Sequence, residues 1–155
     1  MFKPLFFIAL LSPLLAIAEE GNLSVSAGLF NGLDSDYGYQ VDVTRHSKPL
    51  SGLYDLSPIV GGMINTKGGY ALSAGLEKEF KFSSPWVVSP SFSLAYYEKG
   101  DGKALGSHLQ FKTGLSLDYS LAKGKSVGVS LYHLSNGGLS SKNPGEESLL
   151  VNYQF

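Results

Sequence analysis

From residue 22 to the end of the chain, apolar side chains recur at every second position, in eight separate runs. A period of two is the repeat of a β-strand, whose successive side chains leave on opposite faces. In the first run Leu23, Val25, Ala27 and Leu29 share one face, and Asn22, Ser24, Ser26 and Gly28 share the other. The same contrast recurs in Tyr39–Val41–Val43, in Tyr70–Leu72–Ala74–Leu76 with Phe80, and in Trp86–Val88 with Phe92–Leu94–Tyr96. It continues in Leu109–Phe111 with Leu115–Leu117–Tyr119, in Val127–Val129–Leu131, and in Leu149–Val151–Tyr153–Phe155. A weaker run covers about Tyr54 to Met63, interrupted by Pro58 and Gly61-Gly62. Turn residues separate the runs: Asn31-Gly32, Ser47-Lys48-Pro49, Asn65 to Gly69, Ser83-Ser84-Pro85, Glu98 to Gly106, and Ala122 to Lys125.

The less apolar face decides between two all-β architectures. A soluble sandwich or lipocalin-like barrel buries its apolar face inside. Here the less apolar face is rich in Gly, Ser and Ala with a few charges, too small and polar for a good soluble core. The pattern instead predicts an eight-stranded antiparallel transmembrane β-barrel of the bacterial outer membrane, apolar toward lipid and polar within. Strands of roughly ten residues and alternately long and short connections agree with this. Eight strands leave an interior just wide enough for side chains to fill. Asp42, Glu77, Glu79, Lys81, Lys112 and Asp118 are expected to pair there, without a pore. Trp86, Tyr96, Tyr97 and Tyr119 are expected to anchor the membrane interfaces.

The start of the chain reads as an export signal. Lys3 precedes a short apolar run from Leu5 to Leu15, and Ala16-Ile17-Ala18 is a small-x-small cleavage site. The expected organisation is a cleaved signal peptide over 1–18 and a barrel over 19–155. The apolar run is too short to span a bilayer as a helix. The chain has 155 residues, a formal net charge of −1 and no cysteine. One domain is therefore expected, with no electrostatic case for nucleic acid, and thiolate metal sites, disulfides and cysteine nucleophiles are excluded.

Chemistry concentrates in Tyr132-His133-Leu134-Ser135-Asn136-Gly137-Gly138 and Asn143-Pro144-Gly145-Glu146-Glu147. Extending the strand parity puts His133, Ser135 and Glu147 on the lipid-facing wall of two adjacent strands, with Glu146 pointing inward or into the loop. The Gly137–Glu146 loop joins those strands. With both chain ends in the periplasm, it is extracellular, at the outer leaflet. Polar groups on a lipid-facing wall are costly there, which makes them candidates for function. The roles follow from nucleophilic catalysis. Ser135 is the nucleophile and His133 its general base. Glu147 accepts from the other imidazole nitrogen and fixes the tautomer. The Asn136 side chain and the backbone N–H of Gly137 or Gly138 are the candidate oxyanion donors. The plain readings stand beside these: Asn-Gly and Asn-Pro-Gly are ordinary turn chemistry, paired glutamates are ordinary loop charges, and His46 and His108 carry no motif.

This segment, followed by a short strand ending in Phe155, resembles the lipid A 3-O-deacylases of the PagL type. That family combines an export signal with an eight-stranded outer-membrane barrel, a His-x-Ser-Asn segment in the penultimate strand and a glutamate near the start of the last. The specific likeness covers Tyr132 to Phe155; upstream, only strand number, length and pattern agree. The resemblance implies His133 and Ser135 as catalytic, Asn136 in the oxyanion hole and Glu147 as the third member, with Glu146 a lesser candidate. It implies hydrolysis of the 3-position ester of lipid A, releasing a 3-hydroxy fatty acid, with no metal or organic cofactor. The expected partners are lipid A or lipopolysaccharide and the outer membrane, with a homodimer allowed. The alternatives are a non-enzymatic small barrel, structural or adhesive, and a different outer-membrane lipid esterase.

Overall fold

The computed structural model describes residues 21–82 and 85–155; the expected signal peptide, residues 1–18, lies outside the described residues. The strands are β1 (Gly21–Phe30), β2 (Gly38–Ser47), β3 (Ser57–Asn65), β4 (Tyr70–Glu77), β5 (Phe80–Lys81), β6 (Trp86–Glu98), β7 (Leu109–Ser120), β8 (Ser126–Ser135) and β9 (Glu146–Gln154). Their order is β4-β3-β2-β1-β9-β8-β7-β6-β5, all antiparallel, and a β4–β6 pairing closes the sheet. The first and last strands meet through pairs such as Ser24 with Gln154 and Leu29 with Leu149. Among the described residues every strand except the two-residue β5 pairs on both sides, so the sheet is closed.

β4 and β5 are one strand with a gap, so the barrel has eight staves. Glu77 pairs with Ser91 and Phe80 with Val88, the same register on both sides of the gap. Opposite the gap lies Pro90. Lys78 N–H donates to the Pro90 carbonyl at 3.1 Å, but proline has no N–H to return the bond.

The faces divide as the alternation predicts. Val25, Val41, Val43, Leu72, Phe92, Leu94, Leu115, Leu117, Val129, Leu131 and Val151 are exposed on the outer wall, while Ser24, Ser26, Gln40, Asp42, Ser89, Ser93, Asp118, Ser130 and Asn152 are buried within. Leaving an aliphatic side chain of this size in water forgoes about 1.5–3 kcal/mol each, so an apolar band of this extent belongs in a bilayer. Some of the interior charges pair, and Asp118 is held by neutral groups instead. Lys112 Nζ lies 3.0 Å from Asp42 Oδ2 and 4.0 Å from the centre of the Tyr132 ring. Asp118 accepts hydrogen bonds from Ser116 and Asn152.

The two ends differ. At the end away from the chain termini, Phe30, Met63, Ala71, Tyr97, Leu105 and Leu134 form an apolar plug. At the other end the lumen opens into a polar cavity of about 490 Å³, so the interior is only half filled. Side-chain size contributes: serine is the commonest residue in the lining of that half.

Two expectations change. Tyr97 is not an interface anchor; it is 2% exposed, inside the plug, and its hydroxyl donates to the Lys103 carbonyl at 3.1 Å. It sits one residue out of phase with the outward Tyr96, so parity alone turns it inward. The third strand begins at Ser57 rather than near Tyr54. Residues 48–56 form a long connection, closed by a Leu50–Leu56 bridge, with Tyr54 and Asp55 in the left-handed region at φ 52° and 55°. The turn after Ser47 is therefore long, and that between β3 and β4 short. Trp86 and Tyr119 do sit together on the outer wall, ring centres 5.1 Å apart, as do Tyr70 and Tyr96 at 6.5 Å.

Candidate active site

The register of β8 on β9 places His133 opposite Glu147 and Leu134 opposite Glu146. Opposed residues share a face, so His133 and Glu147 both stand on the outer wall, and Leu134 and Glu146 both point in. His133 Nδ1 lies 3.1 Å from Glu147 Oε1. The two side chains are 44% and 31% exposed, accessible from the barrel's outside. Just below them the apolar pairs Leu131–Leu149 and Val129–Val151 continue the outer wall. Glu147 also ties the site to the first loop, since its carbonyl accepts from Gly32 N–H at 2.8 Å.

Ser135 is the last residue of β8 and lies on the same face as His133, two residues on. Its cross-strand neighbour is Phe111, while His133 is opposite Thr113. Phe111 stacks on Phe92 with ring centres 5.9 Å apart, which gives the serine an aromatic flank on β6 and β7. No hydrogen bond joins Ser135 Oγ to His133 in this conformation. Catalytic hydrogen bonds are commonly loose before substrate binds, so the geometry leaves the pair intact as a candidate.

Two glycines make room. Gly145 has φ +69°, and a Cβ there would lie 2.7 Å from His133 Cε1 and 3.6 Å from Nε2. The imidazole therefore packs on bare backbone. Gly137 has φ +61°, and a Cβ there would lie 2.7 Å from Phe111 Cε2. Both positions need glycine for conformation and for space.

Asn136 departs from its expected role. It is 0% exposed. Its Nδ2 hydrogens go to the carbonyls of Leu105 and Lys142, both at 2.7 Å, and its Oδ1 accepts from Gly138 N–H at 2.9 Å. Its own N–H is bonded to Asn143 Oδ1 at 2.9 Å. The side chain staples the β8–β9 loop to the β6–β7 loop, and neither amide hydrogen is directed at Ser135. The Gly138 N–H is likewise engaged. Of the expected oxyanion donors, only the Gly137 N–H has no acceptor among the described residues.

Glu146, the alternative acid, is on the wrong face. It is fully buried, its Oε1 accepting from Asn31 N–H at 2.8 Å and from the Ser148 hydroxyl at 2.6 Å. It braces the first loop from inside. His108 stacks on Tyr96 at 5.4 Å and contacts the Tyr97 carbonyl.

His46 is different, and sequence reading missed it. Inside the lumen its Nε2 is 2.8 Å from Ser24 Oγ, and its Nδ1 is 2.7 Å from Glu77 Oε1. The signal was present in part: Ser24, His46 and Glu77 all fall on the inward parity of their strands. What parity lacks is register, which alone brings them level.

Comparison with known proteins follows the same lines. The fold matches a solved structure described as the outer membrane enzyme PagL, at 24% identity over 86% of this chain and 98% of that one, with a TM-score of 0.70. It also matches Neisserial surface protein A, at 16% identity over 86% and 94% of the two chains, with a TM-score of 0.61. A de novo designed transmembrane β-barrel matches at 16% identity over 88% and 98%, with a TM-score of 0.51. No individually curated protein sequence matches. The sequence profile described as lipid A 3-O-deacylase (PagL) matches residues 25–155. With nearly all of its described barrel inside that match, this outer-membrane β-barrel belongs to the lipid A 3-O-deacylase (PagL) family.

Proposed function

We propose that this barrel hydrolyses the 3-position ester of lipid A in the outer leaflet, using Ser135, His133 and Glu147 as a serine-esterase triad. The observation that carries the reading is the His133–Glu147 pair on the outer wall, two residues from Ser135 on the same strand face and next to an apolar band. An acyl chain lying in the leaflet reaches such a serine sideways, without entering the lumen. The Phe92–Phe111 stack beside Ser135 is the surface along which that chain would run.

Glu147 accepts the Nδ1 proton of His133, which leaves Nε2 as the free base. Docking of the ester brings the Ser135 hydroxyl onto Nε2. Oγ attacks the carbonyl carbon as its proton passes to His133, and Glu147 stabilises the imidazolium that forms. The Gly137 N–H serves the developing oxyanion, with Asn136 holding the loop that carries it. Collapse expels the sugar 3-oxygen, which takes the proton from His133. Water, deprotonated by His133, then releases the 3-hydroxy fatty acid from Ser135. The site faces the outer leaflet if the termini are periplasmic, since the β8–β9 loop lies at the opposite end. A homodimer has no support in the fold or the family and takes no part in this mechanism.

The test is mass spectrometry of lipid A from cells expressing wild type, Ser135→Ala or an empty vector. Loss of one 3-hydroxyacyl group with wild type alone is expected. Loss with both proteins would remove Ser135 as nucleophile. Unchanged lipid A in all three, with the barrel folded in the membrane, would refute the activity.

A further inference from the structure

The lumen contains a second Ser–His–Glu chain, separate from the outer wall. Ser24 on β1, His46 on β2 and Glu77 at the end of β4 all line the 490 Å³ cavity that opens at the end of the barrel holding the chain termini. For a neutral imidazole the contacts set the roles. Glu77 is an acceptor, so His46 Nδ1 carries the proton across the 2.7 Å contact. Nε2 is then the acceptor for the Ser24 hydroxyl at 2.8 Å. That is the order of a nucleophile, a base and an orienting acid. A competing acceptor for the Ser24 hydroxyl, the Thr44 carbonyl, is farther away at 3.4 Å.

We propose that Ser24, His46 and Glu77 form a second acyl-transfer site, one that takes short, water-soluble carboxylic esters from the barrel lumen. The cavity has the volume of a small-molecule pocket but a polar lining, which suits a small ester and not a lipid chain. The plug of Phe30, Tyr97, Leu105 and Leu134 closes the far end, so entry is from the terminal side. Thr44 is the direct cross-strand partner of Ser24 and also lines the cavity, which makes its hydroxyl the donor nearest in register to a developing oxyanion. Ser24 Oγ bonds to the ester carbonyl carbon while its proton moves to His46 Nε2. The carbon–oxygen bond to the alcohol breaks, and that oxygen leaves with the proton from His46. Water cleaves the acyl-Ser24 by the reverse proton path.

The experiment uses the full barrel refolded in detergent, with folding checked by heat-modifiable electrophoretic mobility. In the Ser135→Ala background, which removes the outer serine, 4-nitrophenyl acetate hydrolysis and labelling by a small fluorophosphonate are measured. The expected result is a fluorophosphonate adduct on Ser24, and a hydrolysis rate that falls at least tenfold on adding Ser24→Ala or His46→Ala. The adduct is read on Ser135→Ala itself, so it stands even if a further substitution impairs folding. Absence of the Ser24 adduct on the folded Ser135→Ala barrel overturns the proposal. Equal hydrolysis by folded Ser135→Ala and folded Ser135→Ala/Ser24→Ala overturns it as well. Lipid A deacylation by Ser24→Ala alone is expected to match wild type, which separates this site from the outer one.

Discussion

Replacing Glu147 by glutamine, beside the same change at Glu146, separates the two adjacent acids. Glu147 Oε1 is 3.1 Å from His133 Nδ1 on the outer wall, while Glu146 is fully buried on the inner face. In the proposed acylation step the imidazole becomes a cation, and Glu147 is the charge next to it. At an effective dielectric of about 20, opposite charges at that separation attract by about 5 kcal/mol. Both side chains are more than a quarter exposed, so solvent and headgroups screen part of this. About 2–4 kcal/mol of transition-state stabilisation remains, or roughly a 30- to 1,000-fold loss of rate on Glu147→Gln. The amide is nearly isosteric, so the barrel should fold as wild type. Glu146→Gln changes a buried carboxyl group whose Oε2 has no partner among the described residues, and its rate should stay within several-fold of wild type. The assay is release of 3-hydroxy fatty acid from lipid A by purified protein in detergent, quantified by mass spectrometry. Wild-type rates with Glu147→Gln, or an equal loss with folded Glu146→Gln, would refute the assignment of the acid.

Gly145→Ala forces a Cβ against His133 Cε1 at a positive φ; it should cost about 1–2 kcal/mol in urea unfolding and lower deacylation at least tenfold by displacing the imidazole. Asn136→Ala strands the buried carbonyl of Leu105 and frees the half-buried one of Lys142; a loss of about 1–3 kcal/mol in urea unfolding is expected, with faster amide exchange in residues 137–145. Lys112→Met leaves Asp42 buried without its cation and should destabilise the barrel by about 3–5 kcal/mol, while deacylation by the folded fraction is unchanged. Since the proposed steps use only the protein's own side chains, one backbone N–H and water, EDTA should not alter the deacylation rate in detergent; inhibition reversed by calcium would count against the triad as a complete mechanism.

Much of this could be read without coordinates because a strand's side-chain period is a whole number. Val25, Val41, Val129 and Val151 mark the outer face wherever the strands pair, and His133, Ser135 and Glu147 inherit the same parity. The differences arise where parity is set aside, as at Tyr97, or carries no information. Residues 48–56 differ from the expected strand start because Tyr54 and Asp55 turn left-handed inside a connection closed by the Leu50–Leu56 bridge, neither of which alternation reports. The expected oxyanion role of Asn136 rests on its place after Ser135 and on the family resemblance. Its amide hydrogens are in fact committed to carbonyls, one of them 31 residues away in another loop.

The sequence by itself determined a closed, lipid-facing eight-stranded barrel and the wall on which the candidate catalytic residues stand. Both follow from local alternation, which each strand carries in its own residues. Only the tertiary structure decided which residues stand level with one another. It set Glu147 against His133, put Glu146 under the first loop, and brought Ser24, His46 and Glu77 together in the lumen. Register depends on how far each strand slides along its neighbour when the barrel closes. That offset is fixed by all the strands at once, so no single stretch of sequence contains it.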